Sequence, residues 1–198
     1  MPISEILGFG VEDTSERARA ARRDNYCPFR NSPCTKSSKI DPIGVCSLSN
    51  GNEAASLCPV RFVEGNRIFN DSAELAFGDG ANYRVFPEIG KVDFVLGRID
   101  GGEITNFAAV EVQAVYFSGG EIRTSMNYFL EHETLDLEIS NRRPDFRSSA
   151  QKRLVPQLQL KVPVFRRWGK KFFVVVDTQF FRNLPTFAYT TRPNSEVT

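Results

Sequence analysis

The sequence predicts an α/β protein of the α+β kind, with an N-terminal lobe shaped by four cysteines and a β-meander behind it. Three observations lead there. The cysteines of the 198-residue chain, Cys27, Cys34, Cys46 and Cys58, all fall in its first third. Segments 83–86, 91–97 and 107–117 are rich in Val, Phe, Tyr and Ile, and Gly90 and Asp100-Gly101-Gly102 part them with hairpin-like turn chemistry. The length and a 41% hydrophobic composition suffice to bury a core in one packed unit.

Taken in order, Glu12–Asp24 reads as a polar, arginine-rich helix, with Ser15 near its start and Ala18, Ala20 and Ala21 favouring it. From Tyr26 to about Phe69 the chain is turn-rich, as expected where a cation substitutes for a core. Asp71-Ser72 offers an N-cap to a short helix carrying Glu74, Leu75 and Phe77, which Gly78 and Gly80 end. In the strands that follow, alternation places Val92, Phe94 and Leu96 on one face and Asp93 and Val95 on the other. Glu111 and Gln113 project together, opposite Val110 and Val112. The chain therefore divides into 1–69, helix and cysteine lobe, and 70–198, packed together.

No basic segment followed by an apolar one opens the sequence at Met1–Gly10, and no apolar run approaches the roughly 20 residues that span a bilayer. A soluble protein of the reducing cytoplasm is expected. There, four thiolates make a closed tetrahedral site for zinc or iron, structural in role. The intervals of six, eleven and eleven residues are wider than zinc-ribbon knuckles. Turn residues flank the ligands, at Pro28, Pro33, Gly44 and Pro59. Two disulfides, or four unrelated buried thiols, are the alternatives.

Asp93 and Glu111 sit in strands so apolar that burial without a partner would cost several kcal/mol. Magnesium suits such a pair, because it prefers oxygen ligands and keeps several waters. The plainer alternative is that both face solvent on a half-exposed sheet. A single histidine, His132, excludes multi-histidine zinc hydrolases and, set in an acidic run, argues against Ser-His-Asp hydrolases and histidine-metal finger nucleases, which need imidazole at their centre. It lies in the acidic run Glu131–Glu138, where a solvated imidazole beside Glu131 or Glu133 is expected. No phosphate-cradling Gly-x-x-x-x-Gly-Lys loop occurs.

The net charge of +1 hides a local imbalance: between Arg142 and Lys171 stand ten Arg or Lys and one acid, Asp145. Such a run neutralises phosphates and gives salt-dependent affinity without sequence information. Phe165, Trp168 and Phe172 interleave with it, which points to a packed element rather than a solvated basic helix face.

Asp93, followed eighteen residues later by Glu111-Val112-Gln113, resembles the catalytic core of the PD-(D/E)xK nuclease superfamily, with Gln in place of Lys and Val92 in place of proline. With the cysteines added, the chain resembles type II restriction endonucleases similar to NotI. The specific pieces are Cys27-Pro28-Phe29, Gly44-Val45-Cys46-Ser47, Cys58-Pro59-Val60-Arg61-Phe62, the Glu111 strand, and Arg143–Ser149 leading to Lys152–Gln157. The resemblance implies a central mixed β-sheet flanked by helices, within a nuclease core at 70–198. Lys170–Asp177 would be a further strand reached through a crossing helix.

It implies catalytic magnesium on Asp93 and Glu111, with Gln113 orienting water or touching a phosphate because an amide cannot act as an ammonium. Glu74 would complete a second metal site or anchor a water. The four cysteines would hold structural iron or zinc, and Arg142, Arg143, Arg147, Lys152 and Arg153 would face double-stranded DNA. The enzyme would work as a homodimer in a prokaryotic cytoplasm. Readings from other classes are a non-catalytic metal-bound DNA-binding module, with Asp93 and Glu111 as surface acids, and a rubredoxin-like iron protein.

Overall fold

The computed structural model describes residues 3–36, 43–50, 53–118, 122–133 and 143–184. Strands β1 (Ile3–Ile6) and β2 (Phe9–Gly10) open the chain as a tight hairpin. Its turn needs Gly8, whose φ is +81° and whose position lies so near the Pro28 ring that a Cβ would stand 2.3 Å from Pro28 Cγ. Helix α1 (Glu16–Arg23) is capped by Ser15, whose hydroxyl accepts the Ala18 N–H at 3.2 Å. A ribbon of β3 (Tyr26–Cys27) and β4 (Ser32–Pro33) follows. Then β5 (Val45–Asn50) and β6 (Glu53–Ser56) complete an antiparallel sheet ordered β2-β1-β5-β6.

This first sheet goes beyond the sequence reading, which assigns no strand to 3–10 and takes 26–69 as turn-rich. Its strands are short, and a sheet appears because Ile3, Ile6, Val45 and Leu48 all bury against residues from the far end of the chain. That core also takes Val115, Phe117, Phe129, Leu154 and Phe180.

Helix α2 (Arg67–Phe77) begins before the expected Asp71-Ser72 cap. Asn66, in the left-handed region at φ 56°, starts it, so Asp71 and Ser72 lie inside and Ser72 is buried. Its end is where the sequence puts it, at Gly78 with φ 94°. Next comes the expected meander, β7 (Tyr83–Ile89), β8 (Val92–Asp100) and β9 (Glu103–Gln113), turning at Gly90 and at Gly101-Gly102. After β10 (Phe117–Ser118) and α3 (Ile122–His132), β11 (Arg143–Pro144) leads into a helical arm.

The arm runs from α4 (Phe146–Ser148) to α5 (Val155–Arg167) through a wide turn at Ser149–Leu154, where Val155 N–H donates to the Ala150 carbonyl five residues back. Pro156 follows at once and has no N–H for the carbonyl four residues earlier, a defect that such a turn accommodates. Strand β12 (Phe172–Val176) then joins β9 in parallel, and α6 (Thr178–Arg182) follows. The second sheet, ordered β12-β9-β8-β7, is thus mixed, three antiparallel strands and one parallel.

Helix α2 seals one face of this sheet, where Phe69 and Ala73 pack on Leu96, Val110 and Val112. The Phe69 ring meets Phe94 edge-on at 4.9 Å. Each such side chain contributes about 1.5–3 kcal/mol by leaving water. Among the described residues, no helix is long and apolar enough to cross a membrane.

Candidate active site

Strands β8 and β9 are registered so that Phe94 faces Val110 and Val95 faces Ala109. Because Phe94 and Val110 bury under α2, alternation turns their neighbours Asp93 and Glu111 to the opposite face. There the two acids interlock. Val112 N–H donates to Asp93 Oδ2 at 2.9 Å, and Asp93 N–H approaches Glu111 Oε2 at 3.5 Å. Glu111 is 3% exposed and Asp93 half-buried, so Glu111 at least is not a surface acid on a half-solvated sheet.

A carboxylate buried this deeply needs a cation, and the chain supplies one that the sequence reading missed. Lys161 Nζ, from α5, donates to Glu111 Oε1 at 2.6 Å and to Gln157 Oε1 at 2.7 Å. Sequence spacing cannot disclose a partner fifty residues away. One trace existed: Arg153, Gln157 and Lys161 recur every fourth residue within the basic run, as neighbours on a helix face do.

Gln113 shares a strand face with Glu111 by alternation. Its Nε2 donates to the Ala114 carbonyl at 2.7 Å. It lines a cleft of about 480 Å³ together with Tyr116, Arg153 and Lys36. On the rim, the Arg153 guanidinium lies over the Tyr116 ring, 4.4 Å from its centroid.

Glu74 does not join the pair. It is exposed on α2, the helix that covers the other face of the sheet, so the expectation of a third carboxylate beside Asp93 and Glu111 fails. The physical reason is that Phe69, Ser72 and Ala73 claim the buried stripe of that helix, which turns Glu74 outward.

Of the basic residues expected at DNA, Arg143, Arg147, Lys152 and Arg153 are exposed, and Arg142 lies outside the described residues. Their arm is stitched to the continuation of β9: Asp145 N–H donates to the Tyr116 carbonyl at 2.7 Å, and Tyr116 N–H to Ser149 Oγ at 2.8 Å. The lone acid of the run, Asp145, is the N-cap of this arm and accepts the Ser148 N–H at 2.8 Å. That backbone hydrogen bond, with one from the Ser148 hydroxyl, holds its carboxyl below the usual range. His132 stacks on the Tyr128 ring at 4.2 Å, while Glu133 pairs with Arg19 at 3.3 Å, so the expected Glu133–His132 pairing is replaced.

The cysteines are free thiols, which removes the disulfide alternative. Cys27 ends β3, Cys34 follows β4, Cys46 lies in β5, and Cys58 precedes a turn in which its N–H donates to the Cys46 carbonyl at 3.1 Å. Burial pushes the Cys46 thiol up to about 12 and raises Cys27 as well. Both feel the charge of Cys58, and Lys36 feels Cys58, Cys46 and Cys34. Burial lowers the Lys36 ammonium's pKa against that attraction.

Among the described residues, no group of three or more His, Cys, Asp or Glu side chains stands ready to hold a metal. The closed tetrahedral shell expected from the sequence is thus not drawn together here. Burial favours the protonated thiol at Cys27 and Cys46, and a cation that displaces those protons is what would draw the ligands together. Asp93 and Glu111 form a pair rather than a trio, which suffices for magnesium, since that ion fills most of its shell with water and phosphate oxygens.

A family model for the restriction endonuclease NotI matches residues 83–197, more than half of the chain. The matched region contains Asp93, Glu111, Gln113 and Lys161, and leaves out Glu74 and all four cysteines. No curated protein matches the chain.

Proposed function

Because this chain belongs to the NotI family of type II restriction endonucleases, hydrolases that cut DNA at specific sites, we propose that it cleaves both strands of duplex DNA with magnesium at Asp93 and Glu111. The observation that carries the reading is the interlocked pair, with Val112 N–H on Asp93 Oδ2 at 2.9 Å and Glu111 buried beside it. The donor set fits the ion: two hard carboxylates from adjacent strands, of which Lys161 takes only Glu111 Oε1. Bound there, a divalent ion supplies Lewis-acid charge to the scissile phosphate and to the attacking water.

The chain's own groups do the rest. Asp93 is held in place by the Val112 N–H, and Gln113 offers its amide oxygen to orient water. Arg143, Arg147, Lys152 and Arg153 line up backbone phosphates along the arm, which aligns the duplex without reading its sequence. The enzyme works as a homodimer, whose two-fold axis matches the two strands of a palindrome. Support for a partner copy comes from α5, which leaves Val155, Leu160, Val162 and Val164 exposed, Leu160 at 74%.

Iron or zinc on Cys27, Cys34, Cys46 and Cys58 belongs to the same proposal. Its support is that the four thiols are free and that Cys27, Cys46 and Cys58 are buried in the same N-terminal stretch of chain. The deciding experiment incubates the protein with high-complexity genomic DNA and magnesium, calcium or chelator. Discrete fragments with magnesium alone, lost in Asp93→Ala and Glu111→Ala, support the reading. Binding without cleavage under every condition would replace it with a DNA-binding module.

A further inference from the structure

We propose that Lys161, delivered by α5, is the cation of the cleavage site and fills the role that position 113 leaves empty; this rests on the nuclease reading above. Strand β9 brings no positive charge to the face that carries Glu111. The residue placed beside Glu111 by alternation is Gln113, whose Nε2 is already spent on the Ala114 carbonyl at 2.7 Å. The helix crossing that face supplies an ammonium instead, 2.6 Å from Glu111 Oε1.

The way Glu111 is shared argues for more than a structural ion pair. Oε1 goes to Lys161 and Oε2 to the Asp93 side, so the ammonium occupies one oxygen and leaves the other toward the second carboxylate. Asp93 Oδ2 is held by Val112 N–H, and Oδ1 makes no hydrogen bond or ion pair among the described residues. Gln157 Oε1, at 2.7 Å, fixes the ammonium from behind. The Lys161 side chain keeps 13% exposure against 4% for Glu111, so it is the more accessible partner of the pair.

Arg153, Gln157 and Lys161 form one row along the helical arm, about 12 Å long at the usual rise. Arg153 lies at the cleft that Gln113 lines. A DNA strand laid along this row meets Lys161 at the phosphate to be cut and Arg153 at a neighbouring one. Lys161 donates a hydrogen bond to a non-bridging oxygen of the scissile phosphate and offsets the charge that builds there.

The test compares wild type, Glu111→Ala, Lys161→Gln, Lys161→Met and Lys161→Arg in the full chain. Three measurements are made: the rate of fragment appearance from genomic DNA with magnesium; affinity, with calcium, for a duplex carrying the site found at the wild-type ends; and thermal unfolding. Lys161→Gln retains a donor for Glu111 Oε1 without charge, so it reports the missing charge even where Lys161→Met fails to fold. The expected result is a cleavage rate lower by about 10²- to 10³-fold, with calcium-supported affinity weakened by no more than about tenfold, as loss of one phosphate contact weakens it, and a cooperative unfolding transition. Lys161→Arg recovers part of the rate.

Lys161→Gln cleaving within threefold of wild type, while Glu111→Ala is dead, overturns the assignment and leaves the nuclease reading standing. A wild-type protein that cuts nothing, or a Glu111→Ala variant that still cuts, fells the nuclease reading and this inference with it.

Discussion

The contact between Lys161 and Glu111 yields a stability prediction that needs neither metal nor DNA. Their side chains are 13% and 4% exposed, so deleting one partner leaves a charge with little access to water. Breaking such a pair costs about 3–5 kcal/mol. Glu111→Ala falls at the lower end, about 3 kcal/mol, because the ammonium keeps Gln157 Oε1 at 2.7 Å and is the more exposed of the two. Lys161→Met costs about 4 kcal/mol, because it strands the more deeply buried carboxylate. The double variant has no stranded charge, so it should lose at least about 2 kcal/mol less than the sum of the singles. Urea unfolding in chelator measures the cycle, and each single variant should also lower Tm by on the order of 10 °C. Singles that add to within about 0.5 kcal/mol would refute the contact. Calcium or magnesium should restore part of the loss in Lys161→Met and none in Glu111→Ala.

Arg153→Ala should weaken binding to all DNA sequences alike and reduce the salt slope by about 1, measured by anisotropy across a salt series. Asp145→Ala should lower Tm at neutral pH. Because hydrogen bonding depresses the native carboxyl pKa, the cap stabilises above the unfolded value, and the gap from wild type should close as pH falls through the depressed range. Cys46→Ser should lose bound iron or zinc, read by elemental analysis, and unfold earlier; full stability with no metal in the wild type would remove the metal from the lobe.

What could be read without coordinates was what repeats locally. The meander was legible because Val92, Phe94 and Leu96 alternate with Asp93, and the same period placed Glu111 and Gln113 correctly. The close of α2 was legible at Gly78, but not its start, since Asn66 in a left-handed conformation does the work assigned to Asp71-Ser72. The N-terminal sheet was invisible because its strands are short and its core partners, such as Val115 and Phe180, lie far off in sequence. Glu74 illustrates the same limit from the other side: a carboxylate in the right order along the chain ended on the wrong face. Lys161 was counted as one charge of a basic run, and only the packing of α5 over β9 makes it a partner of Glu111.

The wide turn at Ser149–Leu154 separates two jobs carried by one rod. Upstream of it, Arg143 and Arg147 sit on a segment sewn to Tyr116; downstream, Lys161 is locked to the carboxylate pair. Each residue of an α-helix advances the azimuth by about 100°. Losing a single amino acid between the two halves would therefore put the two anchors about 100° out of phase, so that the tie to Tyr116 and the lock on Glu111 would not both survive. A change of length at this joint would therefore be felt at the carboxylate pair, because the arm ties the position of Arg143 and Arg147 to that of Lys161.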